Sequence, residues 1–166
     1  MNNRTKKMTA LALTISFALI LSFVESRVPA FVAIPGVKVG LANIAVIFTL
    51  YKFGLKEAVT VSILRIVIVS MLFGSPVSLM YSAAGAILSL CSMVLLKKLT
   101  RLAEVAVSVC GGVMHNAGQI IMASVLFDTN LVAYYMPFLI LSGTVAGIVV
   151  GAASAMLIKR IDLKLK

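Results

Sequence analysis

The sequence predicts an all-α integral membrane bundle of six transmembrane helices, and three observations carry that reading. The 166 residues are 61% hydrophobic and only 12% charged, and a mean hydropathy of +1.13 is more than a soluble domain of this size can hide from water. The apolar runs are continuous and lack the period-two alternation of a membrane barrel. The basic residues fall at the ends of those runs, where membrane topology uses them.

Charged flanks and turn residues divide the chain into six helices, near residues 8–24, 36–51, 55–73, 77–96, 103–126 and 131–158. The first follows Arg4, Lys6 and Lys7 and resembles a signal peptide in outline. Glu25-Ser26-Arg27 interrupts the place where a small-x-small cleavage site belongs, so the helix is expected to be retained. Its Ala10, Thr14 and Ala18 form a small-residue seam suited to docking within the protein or against a partner subunit. The second helix reaches about 24 Å at 1.5 Å per residue, so it sits in thinned membrane or starts inside the preceding loop.

The third helix carries Arg65 at its centre. On the fourth, Ser78, Ser82, Gly85, Ser89 and Ser92 recur at steps of four and three, a close-packing stripe whose outer end, with Tyr81, can line a pocket. The fifth holds Gly111-Gly112-Val113-Met114-His115-Asn116-Ala117-Gly118-Gln119, a polar cluster inside a membrane-length apolar run. The sixth has Gly143, Gly147 and Gly151, a doubled GxxxG that reads as a packing face.

With the N-terminus cytoplasmic, Arg4, Lys6, Lys7, Lys52, Lys56, Lys97, Lys98, Arg101, Lys159, Arg160, Lys164 and Lys166 all lie inside. Both termini are then cytoplasmic, and Arg27, Lys38 and Arg65 are the exceptions. The outer connections are a long one over residues 25–38, a tight Gly74-Ser75-Pro76 turn and a short one at residues 128–130. The long connection is apolar in its middle and stiffened by Pro29 and Pro35, which suits a lid over an outer pocket or a re-entrant segment. No linker or repeat divides the chain, so it reads as one domain, residues 1–166.

A net charge of +10 raises the question of nucleic acid, but the charge is spread along the membrane flanks and forms no patch, so no nucleic-acid partner is expected. Cys91 and Cys110 have no metal-ligand spacing and read as small core residues. With five acidic residues, no DDxxD-type cluster, no Walker A sequence and no nucleophile elbow, independent catalysis, a metal and a cofactor are not expected.

His115, Asn116 and Gln119 project to neighbouring sectors of the fifth helix and offer donors and acceptors in both senses. Two readings stand: a ligand site, or hydrogen bonds that tie helices together. Arg65 costs about 3 kcal/mol or more at mid-membrane unless compensated. No carboxylate lies near it on the same helix at mid-depth, so it calls for a partner helix, a watery cavity, an anionic ligand, or carbonyls of broken backbone.

Glu25-Ser-Arg-Val-Pro29, Pro35-Gly-Val-Lys-Val-Gly-Leu-Ala-Asn43 and Gly112-Val-Met-His-Asn-Ala-Gly-Gln119 together resemble the Gx transporter family, also labelled heptaprenyl diphosphate synthase component I. That family is similar in size and helix count to the substrate-binding S components of energy-coupling factor (ECF) transporters. The resemblance implies a membrane binder for a small anionic nutrient or cofactor precursor, working with a T subunit and two cytoplasmic ATPases, with the first helix contacting the T subunit. It further implies Arg27, Lys38, Asn43, Arg65, Tyr81, His115, Asn116 and Gln119 as pocket or gate residues. Arg65 and Lys38 would favour an anionic or phosphate-bearing ligand. A prenyl diphosphate synthase needs acidic metal ligands that this chain lacks, so the other label implies at most a non-catalytic accessory subunit in isoprenoid, quinone or flavin-linked electron-transfer metabolism.

Overall fold

The computed structural model describes residues 2–27, 40–128 and 134–161. Among them are six helices and no strand: α1 (Asn3–Arg27), α2 (Asn43–Lys52), α3 (Leu55–Phe73), α4 (Pro76–Leu99), α5 (Glu104–Phe127) and α6 (Met136–Arg160). Four of these, α1, α4, α5 and α6, are long and apolar enough to cross a membrane. Large apolar side chains such as Leu13, Ile63, Met71, Val125 and Leu141 are exposed around the bundle. Buried positions include Thr49, Ser62, Arg65, Asn116 and Ser154. Apolar groups outside and polar groups within mark a surface built for hydrocarbon.

Local sequence explains the helix ends. The α4 N-terminus is fixed by Ser75, whose hydroxyl accepts from the Ser78 N–H at 3.1 Å, and by Pro76 in the first turn. Between α2 and α3 the chain turns at Gly54, where φ is +111° and only glycine is unstrained. Helix α5 stops at Asp128 in the left-handed region.

Two expectations are corrected. The second helix begins at Asn43 and has 10 residues, so it covers about 15 Å and ends well short of a full crossing. Every residue from Ile44 to Leu50 is buried, which makes α2 a central element wrapped by the others. The first helix continues through Arg27, so Glu25, Ser26 and Arg27 are helical and do not open the loop. Of the connection they were expected to begin, residues 28–39 lie outside the described residues.

Side-chain contacts give the directions. Lys7 pairs with Glu57 at one end of α1 and α3, and Phe23 and Phe73 meet with ring centroids 5.2 Å apart at the other, so the two helices run parallel. Lys97 at the end of α4 donates to the Leu50 carbonyl at 2.7 Å and lies 4.5 Å from the Tyr51 ring centroid. It thus supplies a donor and a cation to the last carbonyls of α2. The bundle therefore has a lysine- and arginine-rich end and an opposite end where α1, α3 and α5 finish. The main apolar core, with Ile44, Ile47, Leu50, Ala58, Met93, Val107 and Val150, belongs to the basic half.

Small residues set the helix spacing. Thr14 and Ala18 of α1 are buried within the chain, and Ala18 packs with Ala45, Val46 and Val61, so this part of the small-residue seam serves internal docking. The glycines of α6 meet α5 backbone to backbone, as their spacing predicts: a Cβ on Gly147 would come within 2.5 Å of the Val109 Cα, and one on Gly112 within 2.5 Å of the Gly143 carbonyl oxygen. Cys91 departs from the expected core position and is exposed, while Cys110 is half-buried.

Because backbone is what a Gly147 side chain would strike, Gly147→Ala should separate α5 from α6 and lower stability by about 1–3 kcal/mol. Ala152→Leu, on the exposed side of the same helix, should stay within about 0.5 kcal/mol of wild type. Reversible unfolding in mixed micelles checks both, and equal stability of the two variants would contradict the contact.

Candidate functional site

Away from the main core, at the end of the bundle opposite the basic rim, the helices leave a cavity of ≈ 50 Å³. Five helices contribute to its wall. Ser22 and Glu25 come from α1, Asn43 from the first turn of α2, and Arg65, Ile66, Val69 and Ser70 from the second half of α3. Ser78 and Ser82 of α4 and His115 and Gln119 of α5 complete it, with Gly40 before α2.

Arg65 dominates the chemistry. It is only 8% exposed, and its Nε has no hydrogen-bond partner among the described residues. Glu25 of α1 provides the opposing field, the partner-helix option among those the sequence leaves open. The Glu25 carboxylate also accepts from the Gly40 N–H. Gly40 has φ +75°, so glycine is needed where the chain turns back to present this N–H.

Helix α5 is drawn tightly against α4 around the imidazole. A Cβ on Gly85 would lie 2.8 Å from His115 Cε1, and one on Gly118 would lie 2.6 Å from the Ala84 carbonyl oxygen. These glycines bring the histidine ring onto α4 backbone, beside Ser82. The serine stripe thus does both things its spacing allowed: Gly85 closes the helix pair, and Ser78 and Ser82 face the cavity.

A second, smaller cavity of ≈ 20 Å³ lies deeper, lined by Asn43, Ile47, Ser89, Met93, Ser108, Gly111, Gly112, Ala146, Gly147 and Val150. Asn43 belongs to both walls. Ser108 is 2% exposed, and its hydroxyl has no partner among the described residues. A space of this size with several polar neighbours is suited to one water molecule.

Of the residues expected from sequence, Asn43, Arg65, His115 and Gln119 come together in the larger cavity. Three others do not line it. Asn116 is 5% exposed and gives its amide to α6, donating to the Leu139 carbonyl at 2.7 Å and to Ser142 Oγ at 3.2 Å. It is the interhelical tie that formed the alternative reading. Tyr81 is half-buried on α4 outside the cavity wall. Arg27 is exposed, with its guanidinium carbon 5.1 Å from the Phe23 ring centroid. Lys38 lies outside the described residues. Glu25, Ser22 and Ser70 are not among the expected residues; the signal for Glu25 is that a partner helix is one way to compensate Arg65 and the chain has only five acids to supply it.

A model of the family described as heptaprenyl diphosphate synthase component I matches residues 14–157. No curated protein and no solved structure matches the chain.

The two amides of α5 should respond differently to truncation. Asn116→Ala removes the bonds that tie α5 to the Leu139 carbonyl and Ser142 of α6 and should lower stability by roughly 1–2 kcal/mol. Gln119→Ala, at a cavity wall, should cost less than about 0.5 kcal/mol. Unfolding in mixed micelles measures both; the reverse order would overturn the assignment of Asn116 to packing.

Proposed function

The chain belongs to the heptaprenyl diphosphate synthase component I family, and from that membership we propose that it is a multi-pass cell-membrane subunit that binds a small anionic organic nutrient or cofactor precursor. Its role resembles that of an ECF S component: solute binding from outside, with uptake energised by a T subunit and two partner ATPases. The observation that carries this reading is the nearly buried Arg65 in the wall of a polar cavity that also receives Asn43, His115 and Gln119.

Orientation supports it. Lys52, Lys97, Lys98 and Arg160 cluster at one end of the helices, and the positive-inside rule makes that end cytoplasmic. The cavity then opens on the outer half, where a solute arrives. A pocket for a whole vitamin-sized ligand runs to about 300 Å³ or more, so the ≈ 50 Å³ here seats a polar head group, and the rest of the solute extends beyond the described wall. Binding without catalysis fits a chain with five acidic residues and no paired-carboxylate or nucleophile motif.

Partner contact through α1 takes a modified form. Thr14 and Ala18 are engaged inside the chain, while Leu13, Phe17 and Ile20 on other faces of the helix are exposed. In this proposal the T subunit meets those larger apolar residues. The family description favours one second reading: a non-catalytic membrane accessory of a prenyl diphosphate synthase, in which the same cavity would hold an isoprenoid or quinone-related head group.

Purified wild-type protein should carry a small organic molecule detectable by native mass spectrometry and by solvent extraction. An Arg65→Ala, His115→Ala variant that remains monodisperse should lose it. Equal ligand content in both would remove the cavity from consideration as the binding site. Recovery of a T subunit and ATPases with tagged protein from native membranes tests the transport role, whereas recovery of a prenyl synthase would favour the accessory role.

A further inference from the structure

The deeper cavity carries a polar group that the packing around it leaves unanswered. Ser108 is 2% exposed, and its hydroxyl has no hydrogen-bond partner among the described residues. Other hydroxyls buried in these helices turn back on their own backbone: Thr14 donates to the Ala10 carbonyl at 2.8 Å, Thr49 to that of Ala45 at 2.7 Å and Ser154 to that of Val150 at 2.7 Å. Ser108 forgoes such a bond and gives its oxygen to the wall of the cavity, which Asn43 of α2 and Ser89 of α4 also line. Ser89 Oγ lies 3.2 Å from where a Cβ on Gly111 would stand. Gly111 follows Ser108 by three residues on the same face of α5, so the two hydroxyls converge.

Volume and chemistry identify the occupant. The ≈ 20 Å³ exceeds the space of about 10–15 Å³ that one water needs and is far below what an organic solute fills. Asn43, Ser89 and Ser108 offer donors and acceptors in both senses, a match to the roughly three bonds that a buried water makes. A cation suits the site poorly. No carboxylate lines the cavity among the described residues, and residues 28–39 contain none, so its charge would be buried without a counter-charge.

We propose that this cavity is a binding site for one ordered water, shared by Ser108 of α5, Ser89 of α4 and Asn43 of α2. The water joins the first turn of the short α2 to the α4–α5 pair, and it sets the side chain of Asn43, which also lines the larger cavity. Ser108 and Ser89 are then positioning residues for a wall that neither of them lines. The site stands whether or not the larger cavity receives a solute.

Met93 reports on the water directly. It is 2% exposed and lines the same cavity. Hydroxyl radicals made in bulk solvent do not reach it, whereas radicals made by an X-ray pulse from a water in the cavity arise beside its sulfur. In nanodiscs, wild-type Met93 should gain one oxygen in proportion to dose, read by mass spectrometry of its peptide, and a Ser89→Ala, Ser108→Ala variant should do so severalfold more slowly. Unfolding in mixed micelles supplies a second readout. Ser108→Ala should lower the folded-to-unfolded ratio about fivefold through loss of a bond to the water. A dry cavity predicts no loss, since the substitution would only remove an unbonded hydroxyl. Asn43→Ala and Ser108→Ala combined should cost clearly less than the sum of the two, because either one already releases the shared water.

Unmodified Met93 in wild type, or Ser108→Ala protein as stable as wild type, would overturn the water. Additive effects of Asn43→Ala and Ser108→Ala would overturn the link to α2. If Ser108→Ala does not fold, the wild-type Met93 result decides alone. A wild-type unfolding midpoint that rises when sodium chloride replaces choline chloride would assign the cavity to a cation and overturn the proposal as well.

Discussion

A guanidinium keeps its proton under any condition a protein meets, so placing Arg65 on α3 commits the bundle to a permanent charge in an apolar setting. Much of the half of the molecule around it can be understood as a response to that charge. Glu25 sits on α1 where its field reaches Arg65, and Gly40 turns so that its N–H meets the same carboxylate. Serines of α3 and α4 and the polar side chains of α5 complete the surroundings. The opposite half carries no such burden and packs as an ordinary apolar core around α2.

The helices reach this arrangement by close approach. Glycines at 85 and 118 let α4 and α5 come together around His115, and those at 112, 143 and 147 do the same for α5 and α6. Helix α5 is therefore held on both sides, and each of its polar side chains has a sector fixed by its neighbours. His115 and Gln119 share the sector toward the cavity, while Asn116 is fastened to α6.

How far the sequence could be read depended on where chemical contrast was present. The limits of α3, α4 and α5 are close to those expected, because charged or turn residues bracket each apolar run. The start of α2 was missed because Gly40, Leu41 and Ala42 continue the apolar composition without a polar break. Arg65, His115 and Gln119 were visible as polar groups in apolar runs. Asn116 stood out equally, but successive residues on a helix point about 100° apart, so it faces a different helix from His115. Glu25 escaped notice as a site residue because an acid at the end of an apolar run looks like the start of a loop, whereas α1 extends past it to Arg27.

The short length of α2 has a consequence for how such a protein can change. Its buried residues, Ile44 to Leu50, fill the centre of one half and stop where the cavity begins. The half that holds the bundle together and the half that holds the polar cavity thus draw on largely different residues of the same long helices. Substitutions at Ser70, Ser78, Ser82 or Gln119 alter the chemistry of the cavity wall without passing through the packed centre. Under the solute-binding proposal, one scaffold of this kind would change its ligand by exchanges in the cavity wall, with the packed half left as it is.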